Sequence, residues 1–354
     1  MLNGGDSLKY TAFATLLCLW CANNFVLAND IPTPSLDEAL IETSLRPTQD
    51  VLYKNILHVN KSPAHWQLDV GAAILTRNTL SSSPILIEFL PQPGDLLNAS
   101  SFRFNTAAGP DISGIKYRDQ DLFFDAVGFR YFDVQSMAAQ IFTPTTGVTW
   151  AFPTSPGSIS NTQNVDARYT SRLYSFEANL YHTVEESQIR WLTGFRWLQV
   201  SDTLGLVGTN VTGTQTISWN WNAQNNLYGW QVGADFPLIR NSSRWKFSCS
   251  PKVGLYGNQC LGRWDDGTPA GTIDNENSVF RNQVAFAGDL STRLAYSISK
   301  AVSIQLGYQL LWLNGIGVAG DQPEVLSGTT IATGLNSSGS AFYHGALAGI
   351  NFMW

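Results

Sequence analysis

The sequence predicts an all-β fold: a closed antiparallel transmembrane β-barrel of about ten strands (roughly eight to twelve), with short turns at one end and long loops at the other. Three observations predict it. Strand-length segments place an apolar residue at every second position, the connections between them alternate in length, and the chain opens with an export signal and closes on an aromatic strand.

The first of these rests on a simple count. The 354 residues are 44% hydrophobic and 14% charged, apolar enough to exclude disorder for most of the chain. After residue 28 no apolar run is long enough for a spanning helix, so a membrane reading must rest on strands. The net charge of −6 comes without a long basic or acidic run, which argues against nucleic acid as a partner.

Lys9 precedes an apolar run from Tyr10 to Cys21, and Val26-Leu27-Ala28 offers small residues for cleavage. Residues 1–28 are therefore expected to be a signal peptide. Residues 29–64 carry Pro32, Pro34, Pro47 and Pro63 around one short helical stretch, Leu36 to Leu45, and read as a periplasmic linker. Residues 65–354 then form the outer-membrane barrel. The cysteines left in it, Cys249 and Cys260, are no disulfide framework.

The alternation begins with Trp66, Leu68, Val70, Ala72 and Ile74. Shorter segments follow at Ile112 to Arg118 and Phe123 to Phe132, the latter with Asp125 on its apolar parity, as a bulge or membrane-edge position would allow. Tyr174, Phe176, Ala178 and Leu180 come next, then Ile189, Trp191, Phe195 and Trp197, then Tyr228, Trp230, Val232 and Ala234. Trp245, Phe247, Val253 and Leu255 lead to Val284, Phe286, Leu290 and Leu294, and Val302 through Trp312 keeps the period of two throughout. The intervening parity holds charges, which a sandwich core would not tolerate and a barrel lumen can. That parity assigns Lys116, Arg130, Glu177, Arg190, Arg196, Asp235, Lys246, Lys252, Asp289 and Arg293 to the lumen.

Short turns fall near Asp119, between His182 and Ser187, around Asn241 and at Ser299-Lys300. Long loops are expected from Arg77 to about Pro110, Asp133 to Ala167, Leu204 to Asn225, Asn258 to Asn282 and Asn314 to Ser340. Both termini then lie on the short-turn side, as a transmembrane barrel requires. Trp66, Trp191, Trp245 and Trp354 would ring the periplasmic interface, and Tyr131, Tyr174, Tyr228 and Trp312 the outer one.

The segment Phe342 to Trp354 resembles the C-terminal strand signal of outer-membrane proteins, with Trp354 where that pattern usually ends in Phe. This implies outer-membrane lipid and the barrel-assembly machinery as partners. Phe176 to Leu198 with Gly194-Phe195-Arg196, Tyr228 to Asp235, Gly307 to Leu313 and Tyr343-His344-Gly345-Ala346 are similar to the putative β-barrel porin family of planctomycete-type outer-membrane proteins. The resemblance implies an outer-membrane barrel and brings no catalytic residues.

Function is read accordingly as structural or porin-like, with a narrow lumen largely filled by paired side chains. A small selective pathway lined by arginines and lysines is the competing lumen reading. The alternative is a surface adhesin or ligand-binding protein acting through long loops bearing Trp150, Trp219, Trp221 and Trp264. A rim hydrolase would need His344 to meet an acid such as Asp321, and no enzyme, catalytic residue or cofactor is expected. His58 and His65 fall in or beside the linker and His182 at a turn. The acidic cluster Asp265, Asp266, Asp274 and Glu276 lacks metal-ligand spacing and reads as a solvated loop, so no metal is expected.

Overall fold

A computed structural model describes residues 66–79, 83–88, 94–118, 123–142, 150–151, 158–159, 162–184, 187–210, 216–239, 244–267, 273–323 and 335–354. The expected signal peptide, linker and His65 lie outside the described residues.

The strands are β1 (Trp66–Thr79), β2 (Pro84–Glu88), β3 (Gly94–Asn98), β4 (Ala107–Tyr117), β5 (Ala126–Phe142), β6 (Trp150–Ala151), β7 (Ser158–Ile159) and β8 (Thr162–Val184). They continue with β9 (Ile189–Asn210), β10 (Thr216–Ile239), β11 (Trp245–Gly267), β12 (Ile273–Ser297), β13 (Val302–Ile316) and β14 (Gly339–Met353). Ten of them, β1, β4, β5 and β8 to β14, form one closed antiparallel barrel. The ring closes because β1 pairs with β4 on one edge and with β14 on the other. At the seam the Trp66 N–H donates to the Trp354 carbonyl at 2.9 Å, and the Trp354 N–H donates to the Trp66 carbonyl at 3.1 Å. No edge is left among these strands at that level, the condition for crossing lipid with strands.

Alternation along each strand decides which side chains face out. Tyr228, Trp230 and Val232 on β10, Val253 and Leu255 on β11, Ile304, Leu306, Tyr308 and Trp312 on β13, and Ile350 and Phe352 on β14 are all exposed on the outer wall. The span from Val302 to Trp312 covers about 25 Å along the barrel axis, at about 3.4 Å per residue and a tilt of about 40°. That is the height of a bilayer's apolar band. On this outer wall the Trp230 indole N–H donates to Thr193 Oγ1 at 2.7 Å, which removes an otherwise unsatisfied donor from hydrocarbon.

The strands run much further than a bilayer demands. β8 to β12 have 23, 22, 24, 23 and 25 residues, against the roughly 9–11 that cross a membrane. The loops expected over Leu204–Asn225 and Asn258–Asn282 are therefore mostly strand, with only 211–215 and 268–272 left between strand ends. The physical reason is a reversal of amphipathic sign within each strand. On β8, Tyr181, Asn179, Glu177, Ser175, Leu173, Ser171, Tyr169, Ala167 and Val165 are buried, and the residues between them face out. Toward the short turn the outer set is Leu180, Ala178 and Phe176; toward the long-loop end it is Arg172, Thr170, Arg168 and Asp166. β9 does the same, from Trp191, Phe195 and Trp197 outside to Gln199, Ser201 and Thr203, while the inward set passes from Arg190 and Arg196 to Leu198, Val200, Leu204 and Leu206. Lipid wants apolar residues outside and water wants them inside, so the reversal marks where the wall leaves the membrane.

Above that level the interior is an apolar core. Phe132, Leu173, Leu198, Val200, Leu204, Leu206, Trp221, Leu227, Leu311, Leu313 and Ile316 from the wall meet Ile85, Leu86, Leu97, Ala99, Phe102, Phe104, Val318 and Ala319 from the connecting segments. β2, β3, β6 and β7 form a separate four-stranded sheet with no ladder to the barrel. At the end of β13, Gly315 adopts a φ of 78°, a left-handed conformation that glycine takes without strain. The register slips there, between Asn314 and Ile316. The chain then turns inward, and Asn225 fastens it: its Nδ2 donates to the Gly317 carbonyl and its Oδ1 accepts the Gly317 N–H, both at 2.7 Å.

Cys260 sits in this upper core, fully buried beside that segment. Burial pushes its thiol up to about 11, so at pH 8 roughly one molecule in a thousand carries the reactive thiolate. Iodoacetamide at pH 8 is expected to leave Cys260 unmodified in the folded barrel and to label it after denaturation, as read by peptide mass spectrometry.

Candidate functional site in the barrel lumen

Inward-facing charges from eight strands, β1, β4, β5 and β8 to β12, line the barrel at membrane depth. Glu177 of β8 is the hub, 1% exposed, with Lys252 Nζ of β11 at 2.8 and 2.9 Å from its two oxygens. Gln231 Nε2 donates to it at 2.9 Å and Asn179 Nδ2 at 3.2 Å, and Arg196 Nε lies 3.5 Å away. Arg196 also donates through Nη1 to Asp289 Oδ2 at 3.0 Å, and Gln309 Nε2 donates to the same oxygen at 3.0 Å. Two carboxylates and two cations thus neutralise one another in a buried layer, where either sign alone would be costly.

A second group lies against the first. Arg130 of β5 grips Asp111 of β4 through two hydrogen bonds, 2.8 and 3.0 Å, and reaches Gln309 Oε1 at 3.0 Å. Among the described residues the hydrogen-bond donors to Asp69 of β1 are all neutral: Asn351 at 2.7 Å, Gln305 at 2.8 Å, and Ser113 and Gln67 at 3.2 Å. Nearer the short turns Arg190 holds Asp235 at 2.6 and 2.9 Å, Ser250 Oγ donates to the other Asp235 oxygen at 2.5 Å, and the Tyr117 hydroxyl accepts from Arg190 at 3.0 Å.

Of these groups Asp69, Arg130, Glu177, Arg190, Asp235 and Lys252 line a polar vestibule of about 520 Å³, whose wall also includes Tyr181, Lys246, Ser248, Ser291 and Arg293. Residues next to the short turns, Thr183, Gln188, Pro237 and Ile239, line it too, so it opens at that end. Inward it stops at the Glu177 and Arg196 layer, and the apolar core lies beyond.

A further ion pair is embedded in that core. Arg77 of β1 makes a bidentate contact with Asp202 of β9 at 2.6 and 2.8 Å, both side chains within 1% of full burial. The Tyr169 hydroxyl donates to Asp202 at 3.0 Å and accepts the Gly320 N–H at 3.1 Å. Burial, with the Asp202 charge adding to it, holds the Tyr169 phenol well above its usual range, so it stays a donor. Phe104 lies 4.9 Å under the Arg77 guanidinium and 5.0 Å from the Tyr169 ring, and Ser83 Oγ donates to Asp321 at 3.1 Å. The inserted segments are thereby tied to the wall.

Nine of the ten residues assigned to the lumen do face it, with Lys246 exposed at the entrance. Lys116 does not, and that assignment is corrected. Ile115 is the inward residue, packed with Ala126, Tyr181 and Leu192. Lys116 is exposed on the opposite face, its ammonium 5.0 Å from the Trp66 ring, where a long side chain at the membrane edge keeps its charge in water. The eight interface aromatics all lie on the outer parity. Tyr131, Phe176, Trp197 and Tyr228 are register partners in one cross-strand row, and Trp66, Trp191, Trp245 and Trp354 stand beside the short turns or the seam.

Two further expectations change, those for the loop tryptophans and for the acidic loop. Trp219, Trp221 and Trp264 are inward-facing strand residues of the upper core, not loop anchors, because the strands continue through their positions; the Trp150 side chain is outside the described residues. Asp265 lies in β11 opposite Glu276 and accepts from Asn220 Nδ2 at 2.8 Å, so it belongs to a ladder and not a loop. His344 points outward, 2.8 Å from the Tyr308 hydroxyl, while Asp321 is buried with Ser83 in the inserted segment. The structure does not bring those two together.

Sequence reasoning missed Asp69, Asp111, Arg77 and Asp202. Asp69 was legible: Leu68 and Val70 are outward, so the residue between them faces in. Asp111 lay just before the expected start of its strand. Arg77 and Asp202 lay at the expected edges of loops, where nothing in the local pattern announces a buried pair.

Among curated proteins, none matches this chain. Of solved structures, the outer membrane protease OmpT of Escherichia coli is similar at 10% identity and a TM-score of 0.45, covering 83% of this chain and 98% of its own. The toluene transporter TodX of P. putida is similar at 8% identity and a TM-score of 0.26, covering 82% and 90%. The family model described as Putative beta barrel porin-7 (BBP7) matches residues 146–338, more than half of the 354 residues, and the chain belongs to that family.

Proposed function

We propose that this porin-family barrel resides in the bacterial outer membrane, with its short turns and vestibule toward the periplasm, and that it is closed to free diffusion in the conformation described. The observation that carries the reading is the filled interior. Buried ion pairs occupy the lumen at membrane depth, and an apolar core with two inserted segments occupies it above. A ten-stranded barrel has little room beyond what side chains fill, and this one fills it twice. The outer wall meets lipid through its apolar parity, and β14 is the strand offered to the assembly machinery, since its pairing with β1 closes the ring. No enzymatic role is assigned.

The test is a planar-bilayer recording on the purified full-length protein in the native lumen and in a variant lacking residues 83–104. The native protein is expected to give no steady conductance. A large, stable open level in the native protein contradicts the sealed-lumen reading and favours an arginine- and lysine-lined pathway.

A further inference from the structure

We propose that the vestibule is a binding pocket for a small multivalent oxyanion, with Arg293 as its anchoring cation and Lys246 at its entrance. The proposal uses only the lumen geometry and goes beyond the sealed-barrel reading. The cavity's volume, about 520 Å³, is in the range of small-ligand pockets, roughly 300–1,000 Å³.

Three of the vestibule cations have an acid in close contact: Arg190 has Asp235, Lys252 has Glu177 and Arg130 has Asp111. Arg293 is different. Its approaches to Asp69 and Asp111 are 4.0 and 3.9 Å, beyond hydrogen-bond reach. Those acids are already engaged, Asp111 on both oxygens by Arg130 and Asp69 by four neutral donors. The guanidinium shares its charge with these two carboxylates but donates no hydrogen bond to either, and among the described residues its planar fork of donors has no hydrogen-bond acceptor, with the side chain 26% exposed and lining the vestibule. Such a fork matches phosphate or carboxylate bidentately.

The neighbouring strand adds to it. Ser248 is the register partner of Arg293 on β11, and Lys246 is the next inward residue toward the mouth, paired with Ala295 and with no carboxylate against it among the described residues. One guanidinium, one ammonium and the hydroxyls of Ser248 and Ser291 thus face one volume. Lys246, with no carboxylate against it among the described residues, and the free donor fork of Arg293 favour an anion over a cation or a neutral solute, and the hydroxyls suit its remaining oxygens.

The experiment is equilibrium binding of inorganic phosphate to the full chain folded in detergent, followed by phosphorus NMR line broadening. Heat-modifiable gel migration verifies the fold of each variant. Saturable binding is expected, weakened by about tenfold or more in Arg293→Gln, the loss of one charge-assisted contact pair. Lys246→Gln should weaken it less and flatten its salt dependence, and Lys116→Gln, on the outer wall, should leave it unchanged. Wild-type protein that shows no saturable binding, or an Arg293→Gln barrel that binds as well as wild type, overturns the proposal. Should Arg293→Gln not fold, unchanged affinity in Lys246→Gln overturns it instead. Conductance plays no part in this readout, so the sealed-lumen reading stands or falls separately.

Discussion

Glu177→Ala is expected to destabilise the folded barrel by about 3–5 kcal/mol, the cost of leaving buried cations without their counter-ion. Glu177 answers Lys252 on both oxygens and Arg196 at 3.5 Å, and only Asp289 remains to serve both once it is gone, at 3.0 Å from Arg196 and 3.8 Å from Lys252. Gln231 and Asn179 lose an acceptor as well. The loss should appear as a lower midpoint in heat-modifiable gel migration and in denaturant unfolding from micelles. Pairing Glu177→Ala with Lys252→Met should recover much of it, because the two changes together remove one charge of each sign. A single variant as stable as wild type means that water already reaches the layer, and that the lumen is wetter than its burial indicates.

Asp202→Ala is the second change with a large effect, again about 3–5 kcal/mol, and it acts in a different place. Arg77 would keep only ring contacts with Phe104, Tyr169 and Tyr343, which do not replace a bidentate carboxylate in an apolar core. Tyr169 would lose its acceptor while still holding the Gly320 N–H. The consequence is local as well as global. Residues 83–88, 94–104 and 317–323 pack on this cluster, and the sheet that holds β2 and β3 has no ladder to the barrel among the described residues. Limited proteolysis should therefore cut the 83–104 segment in Asp202→Ala well before the barrel strands, and before the same segment is cut in wild type. Equal protection in both would show that apolar packing alone holds the segment. Replacing the pair together, Arg77→Met with Asp202→Leu, should restore much of the stability.

These two sites were unequally visible in the sequence. Glu177, Arg196, Lys252 and Asp289 stand between outward-facing apolar residues in strands with unbroken alternation, so their parity alone sent them to the lumen. Lys116 went to the wrong face because its short segment carries Ile112 and Ile115 on opposite parities, and the choice between them needs the Ala126, Tyr181 and Leu192 cluster that only folding assembles. The Arg77 and Asp202 pair is separated by 125 positions, and each member lies where the expected pattern ends. The same cause hid the long strands. A period-two search keyed to apolar residues outside and polar residues inside stops at the membrane boundary, because beyond it the pattern continues with the opposite sign. Leu198, Val200, Leu204 and Leu206 follow Arg196 on the same face of β9, and that change of inward chemistry was the available signal.

The exported-barrel account therefore stands on the wall more than on the lumen. The direct measurement is a nitroxide scan of β13 from Val302 to Leu313 in the protein reconstituted into phospholipid vesicles, recording accessibility to oxygen and to a water-soluble nickel chelate. Ile304, Leu306, Tyr308, Leu310 and Trp312 are predicted to show high oxygen and low nickel accessibility, out of phase with Ser303, Gln305, Gly307, Gln309 and Leu311. High nickel accessibility across the even-numbered positions, in a protein that stays monodisperse without detergent, would show that this surface faces water and would contradict the account.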